Sequence, residues 1–178
     1  MAEVKTNAVR IVETHGAAYA LHTYPCKEPL DGVTVAGKLG ADVARVFKTL
    51  VTQGKSGAYF VFVIPAAKEL DLKKAARSVG EKAVAMIPVK DINRVTGYVR
   101  GGCSPVGMKK PYVTRIDRSA LAQERVFVSA GRLGQQMELS PESWPKSPAP
   151  PSTISPWHRG RVNLFRRDRE KSTNPDFA

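Results

Sequence analysis

Apolar residues recur along this chain in short blocks of two kinds. Ala8, Val9, Ile11 and Val12 fall on one side of a 3.6-residue period, which predicts a helix over residues 7–13, capped by Thr6 or Asn7 and closed before Gly16. Elsewhere β-branched and aromatic residues dominate. Residues 19–24 read as a strand broken by Pro25-Cys26-Lys27-Glu28-Pro29, and 34–39 as one or two helical turns ended by Gly40. Residues 45–52 and 58–64 read as two strands around the polar turn Gln53-Gly54-Lys55-Ser56-Gly57, a hairpin. A helix over 70–78, a strand over 83–87 and a short helix over 89–95 follow. Strands over 112–116, 125–129 and 135–139 complete the pattern, with Ala130-Gly131-Arg132-Leu133-Gly134 as a turn between the last two. Helices and strands mix without regular alternation, so the fold class is α/β of the α+β kind, a mixed, partly barrel-like sheet flanked by helices.

One position breaks the pattern. The two-residue period of strand 45–52 puts Lys48 on the face of Val46 and Leu50, among apolar neighbours. A lysine there either snorkels from an edge strand or meets an anion. The run Gly101-Gly102-Cys103-Ser104-Pro105-Val106-Gly107 is an ordinary tight turn or a place where bare backbone N–H groups approach a ligand.

Composition narrows the classes. The 178 residues, 42% hydrophobic, suit one core-bearing domain, here residues 1–140. Beyond it, prolines crowd residues 141–178, together with Arg159, Arg161, Arg166, Arg167 and Arg169, which predicts a disordered or loosely attached tail. The net charge is +12, of which residues 1–140 carry +9, so a polyanionic partner is expected and need not depend on the tail. Cys26 and Cys103 are too few for a disulfide framework, and no Cys/His set has metal-ligand spacing; no metal or cofactor is expected. Without a leader-like or membrane-length apolar run, the expected compartment is the cytoplasm.

Four stretches carry a resemblance: Leu21-His22-Thr23-Tyr24, Phe47-Lys48-Thr49-Leu50 with the turn after it, Leu70-Asp71-Leu72-Lys73-Lys74-Ala75-Ala76, and Thr96 through Lys110 around the glycine turn. In this order and spacing the chain resembles, over about residues 5–142, the YbaK/EbsC family of free-standing aminoacyl-tRNA deacylases. That family is related to the editing insertion domain of bacterial prolyl-tRNA synthetases. Within it the chain looks most like the members that clear cysteine from tRNA(Pro).

The resemblance implies a site. Lys48 matches the family's indispensable lysine, expected to hold the phosphate or ribose of the terminal adenosine, and Gly101 and Gly102 its pocket glycines, expected to aim N–H groups at the ester carbonyl. Tyr24, Thr49, Tyr98 and Ser129 match substrate-binding positions, although a hydroxyl satisfied within the core explains such residues as well. Cys103 invites assignment as a nucleophile, but no histidine and carboxylate pair with it in sequence, and a buried space-filling role is the expectation. The family mechanism needs no protein nucleophile, because the substrate thiol attacks its own ester. Implied partners are aminoacyl-tRNA, especially Cys-tRNA(Pro), and prolyl-tRNA synthetase. Two other functions fit the same residues: a deacylase for Ala- or Ser-tRNA, and a non-catalytic tRNA-binding module.

Overall fold

The computed structural model describes residues 5–144; the expected tail, with its arginines at 159–169, lies outside the described residues. In chain order the elements are α1 (Asn7–Thr14), β1 (Tyr19–Thr23), α2 (Gly32–Leu39), β2 (Phe47–Gly54), β3 (Tyr59–Pro65), α3 (Leu72–Ser78) and β4 (Val84–Met86). Then come α4 (Ile92–Thr96), β5 (Val113–Ile116), β6 (Val126–Ser129) and β7 (Gln135–Leu139).

Side-chain caps decide where most helices begin. Thr6 accepts from the Val9 N–H at 3.3 Å, as its position before the apolar stripe predicts. Asp31 accepts from the N–H groups of Val33 and Thr34, both at 3.0 Å, which starts α2 two residues earlier than its apolar pattern alone indicates. Asp71 does the same for α3 through Lys73 and Lys74. Short 3-10 turns at Arg118–Ala122 and Pro141–Ser143, which the pattern did not predict, are capped by Asp117 and Ser140. The helix expected over 89–95 divides into a 3-10 turn, Val89–Asp91, and α4.

The strands form two sheets, β1-β7-β6 and β4-β2-β3-β5, with the expected hairpin as β2 and β3. All pairs are antiparallel except β3 with β5. A parallel bridge from Val46 to Phe127 ties the sheets together, so the barrel-like character is two sheets joined at a seam, not a closed cylinder. The main core lies between them. Ala8, Val9 and Val12 of α1 pack there against Phe47 and Val63 and against Val126, Val128, Met137 and Leu139 of the smaller sheet.

Trp144 belongs to that core and is only 6% exposed. The domain boundary expected at residue 140 therefore falls inside the packed unit. A lone tryptophan between Ser143 and Pro145 carries no periodic signal, so its burial is decided by the space it fills.

Candidate functional site

The β2 strand is paired with β3 from Phe47 to Gln53, but β4 pairs only with Thr52, Gln53 and Gly54. Toward its start the Val46–Phe127 bridge takes over. Between the two, residues 48–50 have no strand partner on that edge among the described residues, and a partly open cavity of about 550 Å³ occupies the gap. This is the size of an ordinary small-molecule cleft, about 300–1,000 Å³. The first turn of α2, the connection from β4 to α4, the glycine turn and the ends of β6 and β7 close the other sides. Close packing sets the α2 wall: a Cβ on Gly32 would lie 2.1 Å from that of Ala66 at the end of β3.

Lys48 lines this cavity half-buried, and no hydrogen bond or ion pair joins its side chain to another described residue. Thr49 lines it too, with its Oγ1 buried and without a hydrogen-bond partner. Gly101 enters from the opposite wall at φ +78°, and a Cβ there would come within 2.7 Å of Leu133 and 2.9 Å of Pro29. Ser129 and Gln136, directly opposed in register on β6 and β7, supply the floor polar groups.

Three of the expected residues stand elsewhere. Gly102 is buried behind the wall against the backbone of Arg132, where a Cβ would meet carbon at 2.9 Å, and its N–H donates to the Val99 carbonyl at 3.0 Å. That donor is spent inside the turn, so only its neighbour Gly101 faces the cavity. Tyr98 is a core residue, 7% exposed, whose hydroxyl donates to the carbonyl of Val106 at 2.6 Å. It clasps the two ends of the glycine turn, and burial pushes its phenol well above the usual range. Tyr24 reaches the site through another side chain, its hydroxyl accepting from the Gln136 amide at 3.4 Å.

The groups in the cavity wall able to exchange or carry a proton are Asp31, Lys48, Arg100 and Cys103. Asp31 is occupied by its cap: the Thr34 hydroxyl, at 2.6 Å, and the Thr34 and Val33 N–H groups hold its carboxyl below the usual range. Burial pushes the Cys103 thiol up to about 11, against the lowering effect of the Thr96 hydroxyl. Cys103 is thus a protonated wall residue, contacting apolar side chains of two core clusters, and its burial opposes the thiolate. Among the described residues no cluster of three His, Cys, Asp or Glu could hold a metal ion.

Sequence reasoning missed Asp31, Arg100 and Gln136. Gln136 sits on β7 between the core residues Gln135 and Met137, and a polar residue alternating with Met137 and Leu139 reads as solvent-facing. It is instead 6% exposed, because α2 and β2 cover that face of the sheet.

Residues 31–146, which include every residue lining the cavity except Pro29 and Leu30, match the family described as the aminoacyl-tRNA editing domain. The chain belongs to this family. A protein of Enterococcus faecalis with the provisional name Cys-tRNA(Pro)/Cys-tRNA(Cys) deacylase EbsC is 46% identical over 140 residues, covering 78% of this chain and 85% of its own. A proline–tRNA ligase of Fervidobacterium nodosum is 33% identical over 75 residues, 42% of this chain but only 13% of the ligase. A crystal structure provisionally described as a trans-editing enzyme for prolyl-tRNA synthetase superposes with a TM-score of 0.68 at 26% identity, covering 79% of this chain and 90% of the other. The structure of the protein APE2540 gives 0.70 at 25%, covering 77% and 90%. The two structural matches cover 77% and 79% of the chain, a length close to that of the described unit. No helix among the described residues is long and apolar enough to cross a membrane.

Proposed function

We propose that this editing domain is a trans-acting aminoacyl-tRNA deacylase that clears cysteine from mischarged Cys-tRNA(Pro), working beside prolyl-tRNA synthetase. The observation that carries the choice of substrate is the proton chemistry of the cavity. Its carboxylate is held low by a helix cap and its thiol is held high by burial. Neither is suited to activate water near neutral pH, where an effective general base has a pKa close to the working pH. A substrate that brings its own nucleophile needs no such base.

Cysteine does. Its Sγ attacks the ester carbonyl carbon, the C–S bond forms, the bond from that carbon to the terminal ribose oxygen breaks, and the thiol proton ends on the leaving ribose hydroxyl. The cyclic thiolactone is then opened by water. Holding the thiol against the carbonyl can account for a large part of the rate, about 7–11 kcal/mol for the best-aligned intramolecular reactions. The protein's share is placement: the unpaired Lys48 ammonium for the terminal phosphate or ribose, and the Gly101 side of the turn for the ester. The positive balance of residues 1–140 supplies attraction to the rest of the tRNA.

Deacylation of Cys-, Ser- and Ala-tRNA(Pro) tests this. Cys-tRNA(Pro) is expected to be cleared fast and the other two at least about 100-fold more slowly, and Cys103→Ser is expected to leave the rate within about twofold. Equal clearance of Ala-tRNA(Pro), or loss of activity in Cys103→Ser, would overturn the substrate-thiol reading.

A further inference from the structure

Two buried oxygens in the cavity wall have no hydrogen-bond partner, Gln136 Oε1 and Thr49 Oγ1. An unpaired buried acceptor costs about 1–3 kcal/mol, so its persistence needs an explanation. Core packing does not provide one. Gln136 lines the cavity beside Ser129 and is 6% exposed, its amide N–H group is turned to the Tyr24 hydroxyl, and its carbonyl oxygen is buried without a partner. Burial keeps the Tyr24 phenol protonated well past neutral pH, so that partner is a constant hydroxyl that fixes the amide's orientation.

We propose that Gln136 recognises the free α-ammonium group of the aminoacyl ester, with Tyr24 as its positioning residue and Thr49 Oγ1 as a second acceptor. This rests on the aminoacyl-ester reading above. The donors of such a substrate are its ammonium, the adenine amino group, the ribose hydroxyl and, in cysteine, a weakly donating thiol. Of these only the ammonium is charged and sits one carbon from the ester, and its three N–H bonds are enough to serve two acceptors at once. An amide carbonyl also suits this cavity better than a carboxylate. It accepts from the ammonium without placing a permanent charge among Val46, Phe127 and their apolar neighbours. The consequence is a filter: free aminoacyl groups are accepted, and N-blocked ones such as peptidyl or formylated esters are refused.

The test measures binding apart from turnover, with an amide-linked 3′-cysteinylamino-adenosine, carrying either a free or an acetylated α-amine. Wild-type protein is expected to bind the free amine about 10–100-fold more tightly, the range for a hydrogen bond to a charged group. Gln136→Leu should bind both forms alike, with the weak affinity of the acetylated one, and should melt no lower than wild type because an unpaired buried acceptor has been removed. Gln136→Glu, which keeps the acceptor, should retain the preference; its loss in that variant would mean that the amide donates to the ester and does not accept from the amine. A wild-type protein indifferent to acetylation would overturn the proposal, as would discrimination that disappears in Asp31→Asn and survives in Gln136→Leu. Cys-tRNA(Pro) turnover, measured separately on wild type, tests the deacylase reading itself.

Discussion

The hydroxyl of Tyr98 donates to the carbonyl of Val106 at 2.6 Å, closing the turn whose Gly101 enters the cavity. A second contact, 3.1 Å to the Gly107 carbonyl, backs it. Tyr98→Phe keeps the ring and leaves the buried Val106 carbonyl unsatisfied. The expected cost is about 1–3 kcal/mol of stability by denaturant unfolding. Deacylation should drop with it, because the wall bearing Gly101 loosens. Unchanged stability would show that the clasp contributes nothing.

Lys48→Ala should abolish deacylation, at least about 100-fold in kcat/KM, with little change in stability. The ammonium has no protein partner to leave behind, and the strand keeps its ladder to β3. Lys48→Arg should recover little, since a planar guanidinium does not reproduce a point charge at the same spot. Steady-state kinetics beside thermal melts check both, and full activity in Lys48→Ala would remove the site assignment.

The packed unit should tolerate a shorter chain only to a point. Ending after residue 140 removes Trp144 from the core, where it packs with the cluster of Val9, Met137 and Leu139. Loss of a buried large aromatic costs about 3–5 kcal/mol, so that protein should be strongly destabilised or unfolded. A chain ending at residue 146, the limit of the family match, should melt cooperatively near the full-length temperature. Equal melting of the two would contradict the role given to Trp144.

Glu138 should make stability acid-sensitive. Burial works against its charge, but hydrogen bonds from His22, at 2.9 Å, and Arg45, with Arg125 nearby, outweigh it and hold the carboxyl below its ordinary value of 4.5. A lowered folded value means that the stabilisation is complete above 4.5 and is lost as pH falls through the folded value. Glu138→Gln should therefore be less stable than wild type at pH 7, by about 1–2 kcal/mol. The gap should narrow below pH 4.5, and a gap independent of pH down to 2 would refute the ion-pair account.

Much of this was legible in the residues because local rules act over a few positions. The stripe Ala8, Val9 and Val12 behind Thr6 is sufficient for α1, and β-branched runs around the turn 53–57 for the β2–β3 hairpin. The family resemblance assigned Lys48, Thr49, Gly101 and Ser129 to one candidate site, and all four line the cavity. Periodicity reports which face a side chain takes, however, and not what covers that face. Lys48 reaches the cavity because β4 is too short to pair with the first half of β2, a property of another strand altogether. Gly102 and Tyr98 support the turn from behind, since the backbone of Arg132 and the carbonyl of Val106 are there to receive them. Gln136 looks like a surface residue until α2 and β2 fold over it. Sequence determined the elements and the chemical inventory, because both depend on short-range sterics and residue type. Tertiary structure decided which polar groups remain unpaired and face one space, because only long-range packing settles which partners are within reach.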